Sequence, residues 1–121
     1  MLEELKLCES DYRFACIIWE REPLGSGELV KLCAQHLGWK KSTTYTVLKK
    51  LCARGFFKND NSLVTSLIKQ EQVQRYESEK FIERTFGGSL PHFITAFMNE
   101  KTLSPKEAEE LKKLIDQYKE G

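Results

Sequence analysis

The sequence predicts a mainly α-helical protein with one small β-hairpin: a helix-turn-helix unit that carries the hairpin, then a C-terminal helical region. Three observations predict it. Residues 39–55 (WKKSTTYTVLKKLCARG) place Thr44, Val47, Leu48 and Leu51 on one helical stripe. Directly afterwards the period changes to a short alternating pattern around a polar turn, over residues 56–68. From residue 70 onward the helical period returns and persists almost to the end.

The first helix covers residues 11–21 (DYRFACIIWER), with Tyr12, Ala15, Cys16 and Trp19 on one face. Its start has two readings: Ser10 caps it, or Cys8 holds the cap position with Asp11 three residues on. Trp19, on the apolar stripe, reads as core. EPLGSG then marks a turn. Ser26 is placed to cap a second helix over residues 28–36, whose apolar side is Leu29, Val30, Leu32 and Cys33. Residues 37–39 make a short connection into the third helix, and Gly55 stands where a left-handed C-terminal cap belongs.

Phe56-Phe57-Lys58 reads as one strand, Asn59 to Ser62 as a four-residue turn and residues 63–68 as the second strand. Three helices followed by a hairpin is the order of a winged helix. Beyond it, residues 70–86 form a highly charged helix with sparse apolar positions, broken by Gly87-Gly88. Ser89 and Pro91 open the next helix, in which Leu90, Phe93, Ile94, Phe97 and Met98 share a stripe. The last helix carries the plainest start signal: Ser104 as cap, Pro105 first in the helix and Glu107 three residues after the cap. Its stripe is Ala108, Leu111, Leu114, Ile115 and Tyr118. The chain thus divides into a winged-helix domain, residues 1–68, and a C-terminal helical region, residues 69–121.

Charge locates the functional surface. The 121-residue chain has a net charge of only +1, but from Leu29 to Asn59 it contains no Asp or Glu. The same stretch holds Lys31, Lys40, Lys41, Lys49, Lys50, Arg54 and Lys58. The polar face of the third helix offers Ser42, Thr43, Tyr45, Thr46, Lys49 and Lys50, hydroxyls and ammonium groups without a carboxylate. A solvated helix face ordinarily mixes both signs, whereas a helix in a DNA major groove needs this one-sided set. No Arg, Asn or Gln lies on it for bidentate base contacts, so direct reading falls to hydroxyls and the Thr43 and Thr46 methyl groups.

The rest of the sequence excludes other classes. Cys8, Cys16, Cys33 and Cys52 form no CxxC pair and lie in or beside apolar runs, as core residues of a reducing cytoplasm do. Cys33 and His36 share one helix, but two ligands do not make a zinc site, so neither metal nor cofactor is expected. There is no phosphate loop, nucleophile motif or paired carboxylate with a base, so the chain reads as no enzyme. The N-terminus reads as neither signal peptide nor membrane span, so the expected location is the cytoplasm, without direct membrane binding. The apolar supply after residue 69 either packs back on the hairpin domain or meets the same helices of a second chain. The second is favoured, since a reader with one recognition helix gains affinity and site length as a two-fold dimer.

These features together resemble the penicillinase-repressor (BlaI/MecI/CopY) family of bacteria. The resemblance rests on YRFACIIW and on Trp39, Thr43, Thr46, Leu48, Leu51 and Gly55 at the family's spacing, then on GGSLPHFITAF and LSPKE. It implies a homodimeric winged-helix repressor on palindromic operator DNA. Its DNA-facing residues would be Ser42, Thr43, Tyr45, Thr46, Lys49 and Lys50, with Lys40 and Lys41 near phosphates. Phe93, Phe97, Met98, Leu111, Leu114, Ile115 and Tyr118 would form the dimer. β-Lactam-responsive members are cut by a membrane sensor protease in the Phe-rich helix, and the matching bond here is Ala96-Phe97. Three features depart from the family: the wing carries Asp60 in place of a basic tip, DQYKEG stands where copper-responsive members carry cysteines, and Ala96-Phe97 stands where the bond cut in β-lactam-responsive members is Asn-Phe. The alternative function is a winged-helix module that binds protein without specific DNA binding.

Overall fold

A computed structural model describes residues 5–120. The chain is mainly helical, with one three-stranded antiparallel sheet, in the order α1 (Glu9–Arg21), β1 (Leu24–Gly25), α2 (Ser26–Leu37), α3 (Lys41–Ala53), β2 (Phe57–Asp60), β3 (Leu63–Ser66), α4 (Gln70–Phe86), α5 (Leu90–Met98), α6 (Pro105–Tyr118). This is a winged helix followed by helices. Among the described residues no helix is long and apolar enough to cross a membrane.

α1 starts ahead of the predicted residue 11, with Cys8 at the cap position. Neither predicted side-chain cap forms: Cys8 makes no cap bond, Ser10 lies inside the first turn, and the Asp11 carboxylate pairs with Lys50. α2 also starts early. Gly25 holds its cap position, and Ser26, expected as the cap, is buried in the first turn.

The EPLGSG segment is more than a turn. Leu24 and Gly25 add a short strand to the hairpin, giving the strand order β1-β3-β2, with Leu24 opposite Val64. A two-residue strand has no alternation to read, so its partner creates it. The hairpin is also tighter than predicted. Asn59 and Asp60 pair with Val64 and Leu63, leaving only Asn61 and Ser62 as the turn, both at positive φ (53° and 64°). That is the mirror-image turn whose twist matches a two-residue hairpin.

α3 ends as its sequence predicts. Gly55 is left-handed (φ 85°), its N–H bonds the Cys52 carbonyl at 3.0 Å, and the Phe56 N–H bonds the Leu51 carbonyl at 2.9 Å. Both bonds together make a Schellman cap, which satisfies carbonyls that a helix end leaves open. The core of the winged helix then assembles from Phe14 and Ile18 (α1), Leu29 and Cys33 (α2), Leu48 and Leu51 (α3), Phe56, Phe57 and Val64. Trp39 stacks on Phe14 at 5.6 Å between ring centroids, so the short connection before α3 is itself anchored.

By packing, the chain forms two compact units, residues 1–80 and 81–121. The change from hairpin to helix at Lys69 and the change in packing are therefore different boundaries. The reason is Val73, an α4 residue fully buried in the winged-helix core. In the second unit Ser89 and Ser104 cap α5 and α6, accepting the N–H of His92 and Glu107 at 3.1 Å each. Phe93 packs edge-on against Phe81 (5.9 Å) and Phe86 (5.4 Å).

Candidate nucleic-acid interface

α3 is held by its apolar stripe: Thr44, Leu48 and Leu51 are buried and Val47 is half-buried. The opposite side faces solvent, with Lys40, Lys41, Ser42, Thr43, Thr46 and Lys49 all exposed. Lys40, Lys41 and Lys49 form no ion pair among the described residues, which leaves three ammonium groups available along the N-terminal two-thirds of the helix. No side chain caps α3 and its first turn holds no acid, so the helix N-terminus keeps its free N–H groups and positive end.

Two residues of the polar face of α3, and Arg54 beyond it, bond to other parts of the fold. Lys50 Nζ lies 2.8 Å from Asp11 Oδ2, and that carboxylate is almost wholly buried. Tyr45 Oη donates to Ser26 Oγ at 3.2 Å, which ties α3 to the start of α2 and explains the burial of Ser26. Arg54 donates to the Lys6 carbonyl at 2.8 Å and lies over the Phe56 ring. Lys50 and Tyr45 each carry a bond within the fold while their side chains stay exposed. Their partners are Asp11 and Ser26, residues remote in sequence that only the fold brings near.

The hairpin adds a residue that sequence reasoning placed in a turn. Asn59 lies on β2 and lines, with Tyr45, Leu48, Lys49 and Cys52, an open crease of about 320 Å³. Asn59 is exposed and shares this crease with Lys49, bringing a side-chain amide, a group type missing from the polar face of α3. The only advance signal was its place two residues after Phe57, which a tight turn would put in the strand. Asp60 follows it, exposed, at the end of β2.

The cysteines have no disulfide among the described residues. Burial pushes the Cys16, Cys33 and Cys52 thiols up, and for Cys52 a backbone hydrogen bond from Asn59 partly offsets it. Cys8 is exposed, a correction to its reading as a core residue: it sits at the helix cap, outside the apolar stripe.

In the second unit neither α5 nor α6 buries a single residue. Phe97 (53 %), Leu114 (49 %), Ile115 (65 %) and Tyr118 (83 %) are among the large apolar side chains left exposed, and Leu111 joins them. Phe93 and Met98 are half-buried, Phe93 at the centre of the aromatic cluster. The Ala96-Phe97 bond lies inside α5 with both residues exposed.

Comparison with known proteins extends this picture along the chain. The pattern of the penicillinase repressor family matches residues 7–117. The methicillin resistance regulatory protein MecI of Staphylococcus aureus is 23% identical over 115 residues, covering 92% of this chain and 94% of its own. The penicillinase repressor of Bacillus licheniformis is 20% identical over 118 residues, covering 94% and 92%. The match takes in both the winged helix and the helices after it, and on that ground the chain belongs to the penicillinase repressor family of DNA-binding transcription regulators.

Proposed function

We propose that this protein represses transcription as a homodimer that binds palindromic operator DNA, with α3 in the major groove. The observation that carries the reading is the exposed face of α3. Ser42, Thr43, Thr46 and Lys49 project from a helix whose other side is locked in the core, and no acid lies among them. Lys40, Lys41 and Lys49 serve phosphates, giving sequence-independent affinity by counterion release. Thr43 and Thr46 supply hydroxyl and methyl contacts to base edges. Asn59 adds an amide of the kind that pairs with adenine, aimed from the wing side of the crease. Tyr45 and Lys50, both exposed, also tie the helix to α2 and α1.

The second unit supplies the dimer. Exposed apolar side chains along α5 and α6 form the kind of surface that a monomer does not leave to water. In a two-fold dimer the two α3 helices lie about 34–36 Å apart, or a multiple, which calls for a palindromic site. Residues 1–68 act as the DNA reader and 69–121 as the dimerisation region. Ala96-Phe97 is the bond at which a membrane sensor protease would release repression. A helical peptide bond must unwind to enter a protease, so cleavage there requires α5 to open.

Selection of bound duplexes from a random pool tests the reading. Enrichment of an inverted repeat is expected. A pool that gains no common sequence contradicts it and leaves the protein-binding module as the better reading.

A further inference from the structure

Asp11 is the one charged side chain buried among the described residues, and the DNA reading gives it no part. α1 carries it in its first turn, where the positive end of a helix favours a carboxylate. Its partner is Lys50 Nζ at 2.8 Å, the shortest ion pair among the described residues. Burying a carboxylate costs free energy, and apolar side chains of similar volume often serve a fold as well. The pair therefore calls for a role beyond stability. Its two ends differ: Asp11 is shut in, whereas Lys50 is half in water. Thr43, Thr46 and Lys50 are spaced i, i+3, i+7, so all three stand on one flank of α3. All three are exposed. No residue from Leu29 to Asn59 is acidic, so the carboxylate that meets this flank has to come from another element, α1.

We propose that Asp11 sets the strength of DNA binding by holding the charge of Lys50 away from phosphate contact. The inference rests on the reading of α3 as the helix on DNA. An ammonium gains affinity for DNA by displacing the counterions condensed on a phosphate. One already neutralised by a carboxylate at 2.8 Å brings little net charge to that exchange. Lys49, which forms no ion pair among the described residues, counts in the salt dependence of binding, and Lys50 does not. Removing the Asp11 charge releases Lys50, because its flexible stem already reaches water and only has to rotate outward. Binding to DNA of arbitrary sequence is almost wholly electrostatic, so each charge withheld weakens capture of the protein by such DNA.

The test compares the full chain with Asp11→Asn, Lys50→Ala and the double variant, binding a duplex of arbitrary sequence at several salt concentrations. Asp11→Asn keeps the shape of the side chain and removes its charge. It should steepen the slope of log K against log salt by about 0.9 and raise affinity roughly five- to tenfold at about 0.1 M salt. Lys50→Ala alone should leave the slope within about 0.2 of wild type. In the Lys50→Ala background, Asp11→Asn should no longer change it. A slope that is unchanged or flatter in Asp11→Asn overturns the inference, since a merely structural pair would give one or the other. So does a gain that persists without Lys50, which marks the lost carboxylate as acting on DNA at long range. If Asp11→Asn does not fold, Lys50→Ala carries the test: an unchanged slope supports the inference, and one flattened by about 0.9 overturns it. A wild-type chain whose binding shows no salt dependence overturns the reading of α3 itself, and the inference with it.

Discussion

Lys50 of α3 is bound to Asp11 of α1 at 2.8 Å, so its charge serves the fold. The Asp11 side chain is 7 % exposed and Lys50 49 % exposed, which makes the pair a half-buried strut between α1 and α3. Its neighbour Lys49 forms no ion pair among the described residues. Two adjacent lysines thus have separate roles, one internal and one outward.

Lys50→Ala should therefore destabilise the protein by about 1–2 kcal/mol, less than loss of a fully buried pair because water still reaches Lys50. Lys49→Ala should stay within about 0.5 kcal/mol, as exposed substitutions do. Urea unfolding of both variants measures the difference. Equal stabilities would dismiss the strut.

The thiols should separate in the same way. Cys8 is exposed, while burial raises the thiols of Cys16, Cys33 and Cys52. A raised pKa means less thiolate at neutral pH, and thiolate is the reacting form. Alkylation followed by mass spectrometry should label Cys8 first, the half-buried Cys16 and Cys52 more slowly, and the buried Cys33 only on unfolding. The sign also predicts alkaline sensitivity. The folded state holds these protons past the ordinary thiol value of 9.0, so stability should fall as pH rises above it.

The proposed dimer surface can be broken without touching α3. Ile115→Glu puts a carboxylate on the exposed stripe of α6, at a residue that is 65 % exposed in the single chain. Sedimentation should show dissociation to monomer with helical content unchanged, and affinity for a palindrome should fall at least about tenfold. A dimer of wild-type strength would place the interface elsewhere.

Local patterns foretold the elements that local chemistry makes. The Thr44–Val47–Leu48–Leu51 stripe turns inward, Gly55 is left-handed, and Ser89 and Ser104 cap their helices. What stayed hidden depends on residues distant in sequence. β1 exists because Val64 and Leu63 pair with it, and Ser26 is buried because Tyr45 reaches it. The candidate site was legible as a composition, a stretch without acid. A scan along the chain could not see Asp11 arriving from α1 to occupy Lys50, nor Asn59 arriving beside Lys49.

The salt dependence of DNA binding tests the role of α3 most directly. Affinity for the selected duplex is measured at several salt concentrations for the wild type, Lys41→Ala and Lys49→Ala. Each substitution should weaken binding and flatten the slope of log K against log salt by about 0.9, the share of one phosphate contact. Unchanged affinity and slope in both variants would contradict the claim that this helix lies on DNA.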